Sequence, residues 1–186
     1  MVSRYGYFEQ FDEGTARVYR FIELALSWAY GIAAGIVESN VRPPARILDV
    51  GSGTGRLAEV LSRRGYYVVG IDVSLPMVRR AVRFWRPDFV NAGSWHIPIR
   101  PSSFDAATAL FTMHHWGSHE LSLRSIHSLL KEGSVLVVVE ADGDRLGPVV
   151  GGHSCTAKCL AEALSPYFNV SIVRKFPLII AVGRRA

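Results

Sequence analysis

The chain has 186 residues, 49% of them hydrophobic and 20% charged, a globular balance with no stretch resembling a disordered tail or a repeat array. Its formal charge of +5, with 18 arginines among 21 basic residues, admits an anionic partner, but an arginine-rich solvated surface is the favoured reading. Only two cysteines are present, Cys155 and Cys159, which excludes a disulfide framework.

The opening MVSRYGYFEQFDEG lacks the basic-then-apolar layout of a leader, so a cytoplasmic location is expected. The first forty residues read as helix, with Val18, Phe21, Ile22, Ala25 and Trp28 recurring at helical spacing. From Leu24 to Val37 there is no charge, and Gly31 and Gly35 form a GxxxG. Fourteen residues of helix span about 21 Å, short of a ~30 Å hydrocarbon core, so a buried helix is expected rather than stable membrane insertion.

Pro43 and Pro44 end that segment, and short apolar runs then alternate with helical ones. The expected order is strand 45–50, helix Arg56 to Arg64, strand 66–72, then a helix from Leu75 to Trp85. That last helix is expected to be capped by Ser74 and to turn Leu75, Val78, Val82 and Trp85 inward. Strands follow at 88–92 and 104–111. A helix from Leu121 to Leu130 is expected to stop at Lys131-Glu132-Gly133, with the glycine in the left-handed position after it. A strand at 134–141, a helix from Thr156 to Leu164 and a pair of strands at 170–176 and 178–184 close the chain, the last two joined by a tight Phe176-Pro177 turn. Between the fifth strand and the final helix, Asp142 to Ser154 reads as a short glycine-rich connection with little material for a lid.

Such βα alternation predicts an α/β, Rossmann-like, doubly wound and mostly parallel seven-stranded sheet with one antiparallel edge strand and an N-terminal helical segment. The whole is expected to be a single domain over 1–186, with a helical cap at 1–40, a core at 45–141 and a closing segment at 142–186.

The most informative segment is ILDVGSGTGRLAEVL, residues 47–61. A strand ends at Val50, glycines alternate at 51, 53 and 55, and a helix begins at once. Glycine there permits a sharp turn and the close approach of a ligand to the backbone. The loop alone suits a nicotinamide dinucleotide, a flavin or S-adenosylmethionine. Asp49 inside the strand end favours the third, since it reaches an amino group but would face a pyrophosphate. Arg56 stands where a dinucleotide motif would place its last glycine. Asp72 ends the next strand, 21 residues after Gly51, where a carboxylate accepts hydrogen bonds from ribose hydroxyls; dinucleotide folds share that feature.

The segments ILDVGSGTG, VVGIDVS, IPIRPSSFDAATALFTMHHW and LLKEGSVLVVVE resemble motifs I to V of class I S-adenosylmethionine-dependent methyltransferases, in order and spacing, over about residues 45 to 141. The likeness is greatest to the small-molecule group that includes the ubiquinone and menaquinone biosynthesis enzymes. It implies S-adenosyl-L-methionine as cofactor. Gly51, Ser52, Gly53 and Gly55 would line the methionine and ribose, Asp49 would orient the methionyl amine, Asp72 would hold the ribose, and Val73 and Leu110 would wall the site. The family's acid before L-P-F falls here on Gly93, so Ser94 or the Trp95 amide would replace its adenine contact, with the Trp95 ring covering the base. FDEGTARVY (11–19) resembles the group's entry helix, which implies that Tyr19 or Phe11 lies over the cofactor.

Methyl transfer needs a base only where the acceptor must lose a proton, and His114 and His115, just after the fourth strand, are the candidates. No metal is expected: His153, Cys155 and Cys159 lack a fourth ligand. Arg79, Arg83 and Arg86 read as one solvated helix face. With Leu110-Phe111-Thr112-Met113 in place of an N-P-P-Y motif, a small-molecule acceptor is favoured over nucleic acid. The oligomeric state is left open.

Overall fold

A computed structural model of the chain describes residues 2–3, 6–7, 13–14, 26–150 and 154–186. Its centre is a sheet of seven strands: β1 Arg46–Val50, β2 Tyr67–Asp72, β3 Asp88–Asn91, β4 Phe104–Leu110, β5 Leu130–Ala141, β6 Asn169–Lys175 and β7 Leu178–Arg184. They lie in the order β3-β2-β1-β4-β5-β7-β6. The first five are parallel. The antiparallel strand is β7, inserted between β5 and the edge strand β6.

Both faces are covered, which is why the strands read as nearly unbroken apolar runs. Side chains alternate along each strand, so neighbours enter different cores. Ile47, Val68, Val135, Val137 and Val139 face α1 (Ser27–Asn40) and α2 (Arg56–Arg63), meeting Ala29, Ala33, Val37, Leu57 and Leu61. Leu48, Val69, Ile71, Leu136 and Val138 face the other way, toward α4 (His119–Leu129) and α6 (Ala157–Leu164), and meet Leu123, Ile126, Leu160 and Leu164. Each fully buried Leu or Ile is worth about 1.5–3 kcal/mol of burial. Two further α-helices among the described residues are α3 (Leu75–Ala81) and α5 (Gly143–Val150).

Successive strands run outward from β1 through β2 to β3, and the chain then returns to lay β4 on the other side of β1. The carboxyl ends of β1 and β4 therefore form a switch point, the place where open α/β sheets bind ligands.

Several local expectations need correction. The helix expected from Leu75 to Trp85 ends at Ala81, and its buried face is Met77, Val78 and Ala81. Leu75, Val82 and Trp85 are exposed, Trp85 at 85%, and Arg79, Arg83 and Arg86 do not share one helical face. Ser74 occupies the cap position without a side-chain cap bond. Gly133 is left-handed (φ +72°) but lies inside β5: α4 ends at Leu129, Leu130 pairs with Phe104, and pairing resumes only at Val135 with Ala106. The stop signal marks a bulge between those pairs. The connection after β5 contains a helix, α5, whose start is tied down by Arg174 of β6 through Asp142 and Asp144.

At the N-terminus, Val2–Ser3 and Gly6–Tyr7 pair as a small antiparallel ladder in place of helix. In α1, Trp28 is 43% exposed, and the small residues Ala29, Ala33 and Ala34 make the buried face. Val18, Tyr19, Phe21, Ile22 and Ala25 lie outside the described residues, as do Phe11 and His153. Among the described residues, no helix is long and apolar enough to cross a membrane.

Candidate functional site

β1 ends at Val50, and the chain turns through Gly51–Gly55 into α2. Gly51 and Gly55 are left-handed, at φ +68° and +83°. A Cβ on Gly51 would lie 2.0 Å from Thr112 Oγ1, and one on Gly55 would lie 2.6 Å from the Phe89 ring. Both positions thus require glycine for conformation and for space. The turn is pinned to β2 by the Ser52 N–H, which donates to the Ile71 carbonyl at 2.9 Å.

Asp72, at the end of β2, closes the far side of the loop. Its Oδ2 accepts from the Gly53 N–H at 2.9 Å and its Oδ1 from the Ser74 N–H at 2.8 Å. Burial raises its pKa, and the two N–H donors oppose that. Each oxygen keeps a lone pair for a further donor.

Asp49 sits beneath the loop, 2% exposed. The Thr108 hydroxyl on β4 donates to Oδ1 at 2.8 Å, while Oδ2 has no hydrogen-bond partner among the described residues. Burial is the largest influence on this carboxyl; the Thr108 bond and, more weakly, the Ala58 backbone N–H oppose it, the nearby Asp72 charge adds to it, and the result is a pKa of about 7. The hydroxyls of Ser52 and Thr54, also buried, likewise have no partner among the described residues.

Two clefts open over these groups and share Gly51. One, of about 490 Å³ including its open mouth, is lined by Asp72, Val73, Ser94, Trp95, His115 and Trp116. The other, of about 360 Å³, lies against Tyr30, Asp49, Gly53, Thr54, Leu110 and Phe111. The structure thus gathers around two joined clefts the residues Asp49, Gly51, Ser52, Gly53, Asp72, Val73, Ser94, Trp95, Leu110 and His115. Gly55 is set back as the left-handed cap of α2.

The segment after β3 has its own logic. A Cβ on Gly93 would meet the Trp95 ring at 2.5 Å, so the ring occupies the space that a side chain at 93 would fill. The Ser94 hydroxyl is engaged with Ser122 of α4 at 2.7 Å.

The two histidines part company. His115 lines the larger cleft, whereas His114 Nδ1 lies 2.8 Å from Glu140 Oε2. Glu140, fully buried near the end of β5, also accepts the Thr112 and Met113 N–H groups at 3.1 and 2.8 Å through Oε1. It therefore fixes the short 3-10 turn Met113–His115 that carries both histidines. Phe111, immediately before, is held at φ +52°, a strained conformation for a bulky residue, at the wall of the smaller cleft. Sequence reasoning missed Glu140, Phe111 and Thr112. The available signal for Glu140 was a lone acid in the apolar run Val-Leu-Val-Val-Val-Glu-Ala, since a buried charge needs partners.

A Rossmann-like sheet with a glycine turn, one acid beneath it and one beside it suits a nucleoside-bearing cofactor with a cationic amine. The unpartnered oxygen of Asp49 fits the ammonium of S-adenosylmethionine, and the open lone pairs of Asp72 fit its ribose hydroxyls.

Comparison with known proteins agrees. The family model described as Methyltransferase domain matches residues 48–138. The demethylmenaquinone methyltransferase of Thermus thermophilus is 36% identical over 106 residues, covering 53% of this chain and 48% of that relative. That of Corynebacterium kroppenstedtii is 34% identical over 99 residues, covering 53% and 43%. The chain spans about half the length of the curated relatives it matches. A solved SAM-dependent methyltransferase from Aquifex aeolicus shares the fold, with a TM-score of 0.81 at 16% identity over 95% of this chain and 100% of that one. Residues 48–138 thus match the methyltransferase-domain family, and the chain is similar, at a distance, to the menaquinone methyltransferases.

Proposed function

We propose that the chain transfers a methyl group from S-adenosylmethionine to a small-molecule acceptor. Asp49 carries the reading: a buried acid with one oxygen bonded to Thr108 and the other unpartnered among the described residues, facing a glycine turn that Asp72 closes. On this reading Asp49 holds the methionyl ammonium and Asp72 the ribose. Gly51, Ser52, Gly53 and Leu110 wall the methionine end, and Val73, Ser94 and Trp95 wall the adenine. Gly55 sets the start of α2.

When bound, the cofactor supplies a methyl group on a sulfonium, a very good leaving group. The residues of the chain then need only align an acceptor and keep water out. Where the acceptor must first lose a proton, His115 is the group facing the cleft that can take it. His114 is a positioning residue, anchored on Glu140 so that the turn presents its neighbour.

The named relatives act on demethylmenaquinone, so small apolar ring-bearing acceptors are the first class to test. Incubation with donor labelled in the methyl group and a demethylated quinol is expected to place label in the solvent-extractable fraction. Label confined to RNA or protein would overturn the small-molecule reading.

A further inference from the structure

Neither Cys155 nor Cys159 lines either cleft, and the proposed methyl transfer makes no use of them. Cys155 is 2% exposed and packs in the core with Leu160 and Leu164. It forms a bridge with Asp142, and its carbonyl accepts the Gly143 N–H at 3.0 Å. Its backbone thus ties the entry of α6 to the chain just beyond β5. Cys159 is half-buried in the first turn of α6, its N–H donating to the hydroxyl of the capping Thr156 at 3.0 Å. The two sulfurs are 3.0 Å apart and both thiols are free.

We propose that Cys155 and Cys159 form a reversible dithiol–disulfide site that is closed by a low-molecular-weight disulfide. The sulfurs are already in contact, so closure needs only a small further approach, and both backbones are held in place by the bonds just described. The roles follow from exposure: Cys159 can be reached from solvent and attacks, while buried Cys155 resolves. The electrostatics of the pair support the same order. The hydrogen shared between the thiols separates them, so that Cys159 falls to about 7 while Cys155 rises.

The steps balance. Cys159 thiolate attacks one sulfur of the small disulfide RSSR, an S–Cys159 bond forms, and RS⁻ leaves with the electron pair of the broken S–S bond. Cys155 then loses its proton to solvent and attacks the Cys159 sulfur, expelling the second RS⁻. Two protein thiols are oxidised, one RSSR is reduced, and two RSH result once the thiolates are protonated. The closed bridge would covalently fix the entry of α6, and through Cys155 the chain that follows Glu140.

Trypsin cleaves at Lys158, between the two cysteines, which makes the product easy to read. The whole folded protein, incubated with glutathione disulfide and digested without reduction, is expected to yield the two flanking peptides as one species lighter by two hydrogens, which separates on reduction. Cys155→Ser is expected to stop at a stable glutathione adduct on Cys159. A persistent adduct in the unsubstituted protein, two unmodified thiols, or bridges only between molecules would each overturn the proposal. Because the readout is covalent, the result does not depend on whether the chain methylates anything.

Discussion

Asp49 makes ligand-free stability and ligand affinity run in opposite directions with pH. Its carboxyl is raised from 3.8 to about 7, so the folded chain holds that proton more tightly than the unfolded chain does. The penalty is absent below the ordinary carboxyl range, grows as pH rises, and is complete above about 7, where it reaches roughly 4 kcal/mol as an upper figure. The ionised form is the one that binds an ammonium. Asp49→Asn, which keeps an acceptor for Thr108, should therefore raise the melting temperature of the ligand-free protein at pH 8 and abolish its stabilisation by S-adenosylmethionine; a thermal melt with and without cofactor reads both. At Glu140 the sign is opposite. Glu140→Ala strips His114 and two backbone N–H groups of a buried acceptor, and should cost about 3 kcal/mol. In a chain of this size that is a fall of roughly 6–12 °C. The placement of Asp49 and Asp72 at the glycine turn was legible because each is an acid at the carboxyl end of an adjacent parallel strand. Glu140 was not singled out, because its partners come from a turn 26 to 28 residues away in sequence.

At the scale of elements, the strands of the main sheet were legible to within a residue, apart from the start of β5 four residues early at Leu130, because double-sided burial makes them short apolar runs bounded by turn residues. Helices were less so. The apolar spacing of Leu75, Val78, Val82 and Trp85 imitates a helical stripe, yet α3 ends at Ala81 and Trp85 stands in solvent. Trp85→Ala should accordingly change stability by less than about 0.5 kcal/mol. Leu160→Ala, in the core of α6, should cost about 2–5 kcal/mol, and paired denaturant melts will show the contrast. Gly133 was identified as left-handed but assigned to a helix end, because the same φ serves a bulge. The glycine turn is the element on which the site depends. Gly51→Ala puts a Cβ 2.0 Å from Thr112 Oγ1 at a left-handed position, and should abolish cofactor binding in calorimetric titration while costing about 1–3 kcal/mol of stability.

For the whole molecule, the strand order places the carboxyl ends of β1, β2 and β4 side by side, and this topology unites residues as far apart as Asp49 and His115. The parallel sheet followed from βα alternation. The place of the antiparallel strand inside the sheet did not, because local pattern carries no information on which strand neighbours β5. The acceptor end is hardest to read for the same reason: it depends on which residues of the two clefts come together at Gly51. The central claim is that these clefts bind S-adenosylmethionine through Asp49 and Asp72. Thermal unfolding with the product S-adenosylhomocysteine at a hundred times its dissociation constant tests it most directly. A stabilisation of about 2.7 kcal/mol, or roughly 5–10 °C, is expected, and it should be lost in Asp72→Ala. An unchanged melting temperature at millimolar ligand, or an equal shift in Asp72→Ala, would contradict the account.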